Sequence, residues 1–305
     1  MKKRYKIIIL LIIILLIGAL ITLYFTFKVN RFNNNIHESV DKKEKVKATQ
    51  QKLKHHKPIS IALFGVDSNA KRSKENLGQR TDTLLIASVN PEKEKTYLMS
   101  IPRDTYSKIS GTNEHEKIAH AYAYGGPKKA INTIEDNFDI PIDSYMTMDM
   151  DGFKQVIDSI GGIKVKSLNT FNYNGSSFKK NRVEKMNGKK ALDYVRSRKE
   201  VGSDGDEGRT KRQRQIIQKV VDEVSKERNI STINKIINAG ENNVKTSFTV
   251  GDIKTLYFDY KPATNHIGKL KLKGENLVEE DGLWYFEPDD KDKKDKREMY
   301  LDNLK

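Results

Sequence analysis

The chain has 305 residues, a net charge of +15 and no cysteine. That length fits one large domain with appendages. The missing cysteines exclude disulfides, zinc–thiolate centres and thiol catalysis, and the charge predicts attraction to anions such as nucleic acid, lipid headgroups or phosphorylated polymers.

Residues 7–27 carry no charge and are dominated by Ile and Leu. At 1.5 Å per residue they cover about the 30 Å of a hydrocarbon core. Lys2, Lys3, Arg4 and Lys6 crowd the short tail before them, which should hold that tail inside and place the rest of the chain outside the cytoplasm. A cleaved signal peptide is the alternative, but the apolar run is long for one and no small-x-small site follows it. Both readings export the domain, which removes most of the case for DNA binding. The expected partition is a cytoplasmic tail at 1–6, a single membrane anchor at 7–27, a charged stalk at 28–57, an extracytoplasmic domain at 58–288 and a charged, solvated tail at 289–305.

Within the domain, residues 59–64 form a short apolar run stopped by Gly65, the pattern of a buried strand. Residues 82–89 and 96–101 are two more strand candidates, and the turn residues at 90–94 join them as a hairpin. Residues 145–150 alternate large and polar side chains. Residues 151–160 read as a helix ended by Gly161-Gly162, and a strand resumes at 163–165. Ile216, Ile217, Val220, Val221 and Val224 form one helical stripe. Ile233, Ile236 and Ile237 begin a second, and Ile253, Leu256, Tyr257 and Tyr260 a third, opened by a capping box from Thr249 to Asp252. Strands first and helices interleaved predict an α/β layered fold with a mixed sheet. The stripes read as core, although one of them would also suit an acyl groove.

Polar residues gather at the strand ends, where open α/β sheets bind ligands. Asp67 follows the first strand, Arg80-Thr81-Asp82-Thr83 opens the second, and Arg103-Asp104 closes the third. Asp67 and Asp82 suit one hard divalent cation, which takes one or two carboxylates plus substrate phosphates; surface Asp at strand ends is the plainer reading. A denser cluster runs through Arg196 and Arg198 to Asp206, Arg209, Arg212 and Gln213. If residues 195–198 are extended, Arg196 and Arg198 point the same way; if helical, they diverge by about 200°. Arg209, Arg212 and Gln213 share one helix face, roughly opposite the apolar stripe. Gly202, Gly205 and Gly208 give the loop between the groups the freedom to bring them together. Arginines bind phosphate bidentately and keep their charge, so a phosphate site competes here with a solvated basic helix. His120 reads as a structural histidine, and no P-loop, zinc spacing or nucleophile elbow is present.

The order of motifs resembles the LytR–CpsA–Psr family of cell-envelope proteins. The matching stretches are Phe64-Gly65-Val66-Asp67, Arg80-Thr81-Asp82-Thr83, Ser100-Ile101-Pro102-Arg103-Asp104, Lys117-Ile118-Ala119-His120-Ala121-Tyr122, Gly125-Gly126 and Gly152-Phe153. Val156-Ile157-Asp158, Gly161-Gly162, Asn187-Gly188, Ala191-Leu192-Asp193-Tyr194-Val195-Arg196-Ser197-Arg198 and Gly205-Asp206-Glu207-Gly208-Arg209 with Arg212-Gln213 complete the series. The resemblance implies a three-layer α/β/α domain around a central mixed sheet. It implies transfer of a glycopolymer, teichoic acid or capsular polysaccharide, from a polyprenyl-pyrophosphate carrier to peptidoglycan at the cell membrane, with Mg²⁺. Carried over by motif, Asp67 and Asp82 would bind the metal. Arg80, Arg103, Lys117, Arg196, Arg198, Arg209 and Gln213 would hold the pyrophosphate. Arg103, Asp206 and Arg209 would be the catalytic members, Asp206 orienting arginines or assisting proton transfer. Phosphoryl transfer needs charge neutralisation and alignment more than a covalent nucleophile, so arginines with one Mg²⁺ suffice without histidine or cysteine. The alternative is a non-catalytic envelope module that binds anionic polymers or polyprenyl phosphates.

Overall fold

The computed structural model describes residues 37–40, 43–67, 81–226, 229–279 and 282–305. The expected membrane segment lies outside them, and among the described residues no helix is long and apolar enough to cross a membrane.

Helix α1 (Lys43–Lys54) leads into strand β1 (Ile59–Val66). β2 (Thr81–Asn90) and β3 (Lys95–Ile101) form the expected antiparallel hairpin. Two short strands follow, β4 (Tyr106–Lys108) and β5 (His115–Lys117), and then α2 (His120–Phe138), kinked where Gly125 and Gly126 leave helical geometry. Next come β6 (Ser144–Met148), α3 (Met150–Ser159), β7 (Ile163–Lys166), β8 (Phe171–Tyr173), β9 (Ser176–Phe178) and β10 (Val183–Met186). Three helices, α4 (Gly188–Arg196), α5 (Gly205–Lys226) and α6 (Ile230–Gly240), precede β11 (Val244–Thr246) and α7 (Val250–Asp259). The chain closes with β12 (His266–Lys271), β13 (Gly274–Val278), β14 (Trp284–Pro288) and α8 (Asp290–Asp302).

The central sheet is mixed, in the order β11-β6-β1-β2-β3-β12. β1–β6 and β3–β12 are parallel, and the other neighbours antiparallel. β1 lies inside the sheet with apolar residues on both faces, which is why it reads as a continuous apolar run rather than an alternating one. Its Ala62, Phe64 and Val66 join the main core with Ile131 and Ile134 of α2 and Tyr300 of α8. Residues of the opposite parity, Leu63, Gly65 and Asp67, face a cavity. A second core, built from α3, β7–β10, α4 and α5, covers that side. The capping box opening α7 is present as expected, with Thr249 Oγ1 accepting from Asp252 N and the Asp252 carboxylate accepting from Thr249 N.

Two expected boundaries are corrected. The end of the stalk is part of the fold: Leu53 of α1 is buried against Ile59, Phe248 and Tyr260, and Lys52 pairs with Asp143 at 2.7 Å. The solvated tail is instead α8, whose charged residues wrap a buried anchor. Tyr300 is 0% exposed and shares a 2.8 Å hydrogen bond with Ser60 Oγ. Asn303 Nδ2 donates to the Ser88 and Lys95 carbonyls. A composition of mostly Asp and Lys hides such an anchor because one aromatic per helix leaves no periodicity to read.

Candidate functional site

The sheet builds the floor of a cavity of about 500 Å³. Register places Leu63 beside Leu85 and Met146, and Gly65 beside Thr83 and Met148. All six line the cavity, as strand periodicity requires of residues on one face. Any side chain at Gly65 would crowd Thr83, whose Cβ lies 3.0 Å from where a new Cβ would sit, so glycine keeps the floor open. Between Gly65 and Val66 the register slips: Gly65 pairs with Thr83 but Val66 with Thr81. Asp82 is thus the extra residue of a bulge. Strict alternation would turn it away from Thr83; a bulge re-aims a side chain, and Asp82 and Thr83 both line the cavity. The floor runs from apolar residues in the middle of the sheet to the carboxylates of Asp67 and Asp82 at its end.

Helices supply the opposite wall. Arg209, Gln213 and Ile217 recur at four-residue spacing on α5 and line the cavity together, so one helix face grades from charge to hydrocarbon. Ile216, its neighbour in the stripe, is buried in the second core: the stripe is divided between core and groove. Phe153 of α3, Tyr173 of β8, and Leu192 and Val195 of α4 complete the apolar end.

Arg196 and Arg198 both line the cavity, but not as an extended pair. Arg196 is the last residue of α4, and the chain leaves the helix at Ser197, with φ −53° and ψ 129°. That exit, not strand alternation, brings Arg198 round to the side of Arg196. The loop is tightly tied. Glu200 Oε2 accepts from Ser197 Oγ and from Arg198 N, each at 2.8 Å, and despite opposing desolvation these bonds hold the Glu200 carboxyl below its ordinary range. Gly208 serves close approach, since a Cβ there would lie 2.1 Å from the Ser203 carbonyl oxygen, whereas Gly202 and Gly205 use the conformational freedom of glycine, with φ of 83° and 60°.

Arg212, placed by spacing on one exposed face with Arg209 and Gln213, is an internal clamp. It is 0% exposed. Its Nε donates to the Tyr194 carbonyl at 2.7 Å, its Nη1 to the Ser203 carbonyl at 2.6 Å, and its Nη2 to the Ser197 carbonyl. The guanidinium also sits 4.8 Å over the Phe171 ring, and burial lowers its pKa. One side chain therefore ties both ends of the loop that carries Arg198.

Arg103 lies beside the cavity, its Nη1 donating to Asp82 Oδ1 at 2.5 Å. Lys117 stands one step further out, 3.1 Å from Asp104 Oδ1 and 5.5 Å from the Tyr285 ring centre, and does not line the cavity. Arg80 lies outside the described residues, and Asp206 is described only as a position on α5. His120 meets Glu116 Oε2 through Nδ1 at 2.7 Å, as a partnered structural histidine does. A second cavity of about 530 Å³, between the 108–113 turn and α2, contains none of the residues singled out from sequence. Sequence reasoning missed Tyr173, quoted Phe153 in a motif without giving it a role, and met the methionines of the floor only through the alternation around Met146 and Met148.

Two carboxylates at one sheet end are hard oxygen donors of the kind Mg²⁺ takes, with substrate oxygens or water completing the shell. Among the described residues no group of three or more His, Asp or Glu side chains could hold a metal, so an ion on this pair would need substrate or water oxygens to complete its shell.

Known proteins share this architecture. The LytR_cpsA_psr family model matches residues 23–300. The polyisoprenyl-teichoic acid–peptidoglycan teichoic acid transferase TagU of Bacillus subtilis is 37% identical over 298 residues, covering 95% of this chain and 94% of the relative. The protein of the same name from Bacillus licheniformis is 38% identical over 298 residues, 95% of this chain and 93% of its own. The crystal structure of B. subtilis TagV superposes with a TM-score of 0.71 at 33% identity, over 82% of this chain and 98% of that one. The ordered motifs, the mixed sheet and these matches along most of its length place the chain in the LytR–CpsA–Psr family.

Proposed function

We propose that the chain transfers an anionic glycopolymer, a teichoic acid or capsular polysaccharide, from a polyprenyl-pyrophosphate carrier to peptidoglycan. One observation carries this reading: a single cavity joins an apolar groove to a mouth holding Arg196, Arg198, Arg209, Asp67 and Asp82. A prenyl pyrophosphate has the same two-part chemistry, hydrocarbon ending in a dianion. The names of the Bacillus transferases agree with it. Arginines bind the pyrophosphate bidentately and offset charge that shifts toward the departing prenyl phosphate as the acceptor hydroxyl attacks phosphorus. Asp67 and Asp82 would hold Mg²⁺, which would supply further charge neutralisation. The reading includes a membrane anchor at 7–27, with the domain outside the cytoplasm and its sheet the middle of three α/β/α layers. An anchored domain keeps the groove near the bilayer that stores the carrier.

Asp67→Asn and Asp82→Asn should each lower Mg²⁺-dependent transfer by about 10²-fold or more, the scale of a lost transition-state charge contact. Circular dichroism should stay unchanged. Transfer at the wild-type rate in both variants, or wild-type transfer indifferent to EDTA, would remove the metal from the account.

A further inference from the structure

The apolar end of the cavity has one wall that depends on a very small element. The β8–β9 hairpin has three residues per strand, joined by Asn174-Gly175 with φ of 47° and 81°. Positive φ at both positions is the two-residue turn that fits strand twist. Such a short two-stranded ribbon is marginal alone. Phe171 and Phe178 at its base pack on Tyr194 of α4, with ring centres 5.9 and 5.1 Å apart. Tyr173 is at the other end, next to the turn, and it is Tyr173 that lines the cavity beside Leu192 and Val195. Whatever fixes the turn therefore fixes that wall.

Asp193 fixes the turn. It is 3% exposed, and it sits on α4 between the cavity-lining Leu192 and the ring-stacked Tyr194. Its Oδ2 accepts from Ser176 Oγ at 2.7 Å and from Lys189 Nζ at 2.9 Å, and its Oδ1 accepts from Asn174 Nδ2 at 3.1 Å. Burial alone would raise the Asp193 carboxyl, but the hydrogen bonds from Lys189, Ser176 and Asn174 outweigh it and hold the group below its ordinary range. A buried carboxylate with donors from both sides of a turn is a strong tie, because charged hydrogen bonds exceed neutral ones.

We propose that Asp193 is a positioning residue that locks the β8–β9 hairpin onto α4, so that Tyr173 closes the side of the apolar groove and sets its preference for a long prenyl tail. The residue touches neither phosphate nor acceptor. It acts through Tyr173 on how well hydrocarbon is enclosed, and enclosure scales with the apolar area taken from water. The proposal rests on the reading of the cavity as a prenyl-pyrophosphate site.

The test is titration of the full chain in detergent with two prenyl pyrophosphates, one long and one of two isoprene units, alongside transfer kinetics with donors carrying the same tails. Asp193→Ala should weaken binding of the long tail and raise its KM by about tenfold, the effect of a lost charged hydrogen-bond set. The short tail should change by less than about twofold, and kcat should hold. Tyr173→Ala should do the same, and the double variant should add nothing, since both act on one contact. Should Asp193→Ala fail to fold, Ser176→Ala removes one donor from the turn and should shift the long tail alone by about threefold. Equal loss for both tails, a fall in kcat at constant KM, or additive single effects would overturn the proposal. Wild-type protein that prefers the long tail but transfers nothing would overturn the transfer reading and still support the tail-binding role of the hairpin.

Discussion

Alanine at Arg198 should slow glycopolymer transfer by about 10²–10³-fold, the cost of removing one preorganised donor from a transition state that redistributes charge. Arg198 is half-buried at the cavity mouth, and its backbone is fixed by Glu200 and Arg212, so its guanidinium needs little reorganisation to meet a phosphate. Arg209, buried on α5 across the same cavity, should show a loss of the same order. Lysine at either position restores charge but not the planar fork, and should recover only part of the rate. Arg182 provides the control. It is an exposed arginine whose Nε lies 3.6 Å from Glu184 and which does not line the cavity, and Arg182→Ala should transfer at the wild-type rate. Steady-state transfer with each purified variant decides the matter: equal rates for Arg198→Ala and Arg182→Ala would mean that the arginines bind polymer by charge alone.

Arg212 should behave in the opposite manner, failing in stability before chemistry. Arg212→Ala leaves the carbonyls of Tyr194, Ser197 and Ser203 buried without their donor. A buried carbonyl left without its donor costs about 1–3 kcal/mol, and three of them are a large share of the 5–15 kcal/mol that keeps a domain folded. Urea unfolding should show the midpoint fall, and protease should cut first in the 197–205 loop. Arg212→Lys should recover a fraction, because a single ammonium cannot reach three carbonyls in three directions. Unchanged stability in Arg212→Ala, with transfer lost, would place this residue among the ligand-binding groups.

These two arginines lie on neighbouring stretches and look alike in sequence, which marks where sequence reading stops. The hairpin of β2 and β3, the buried β1 and the capping box of α7 were legible because each depends on residues close in the chain. Asp67 at a strand end was legible for the same reason. Asp82 was legible as a candidate at a strand start, but its orientation depends on a bulge set by pairing with β1. The Arg196–Arg198 arrangement turned on where α4 ends, and helix ends shift by a residue or two without visible cause in composition. Arg209 and Arg212 share a helix face by spacing, yet one meets the cavity and the other is swallowed by the loop that closes over it. Tyr173 belongs to a strand of three residues, too short to carry any period. Tyr300 is one aromatic in a charged helix. For Tyr300 the deciding contact, with Ser60, comes from the far end of the chain.

The central claim is that the cavity holds a prenyl pyrophosphate while an acceptor hydroxyl takes the sugar-bearing phosphate. The most direct measurement follows each phosphorus separately, using a lipid-linked donor with isotope in one phosphate at a time and peptidoglycan oligomers as acceptor. The account predicts that the sugar-proximal phosphorus appears in a phosphodiester on peptidoglycan and the other leaves as prenyl phosphate, in equal amounts and only with Arg198 and Arg209 intact. Donor that stays bound and unchanged, with both labels still on the lipid and no covalent product, would contradict it and leave a module that only tethers anionic polymer.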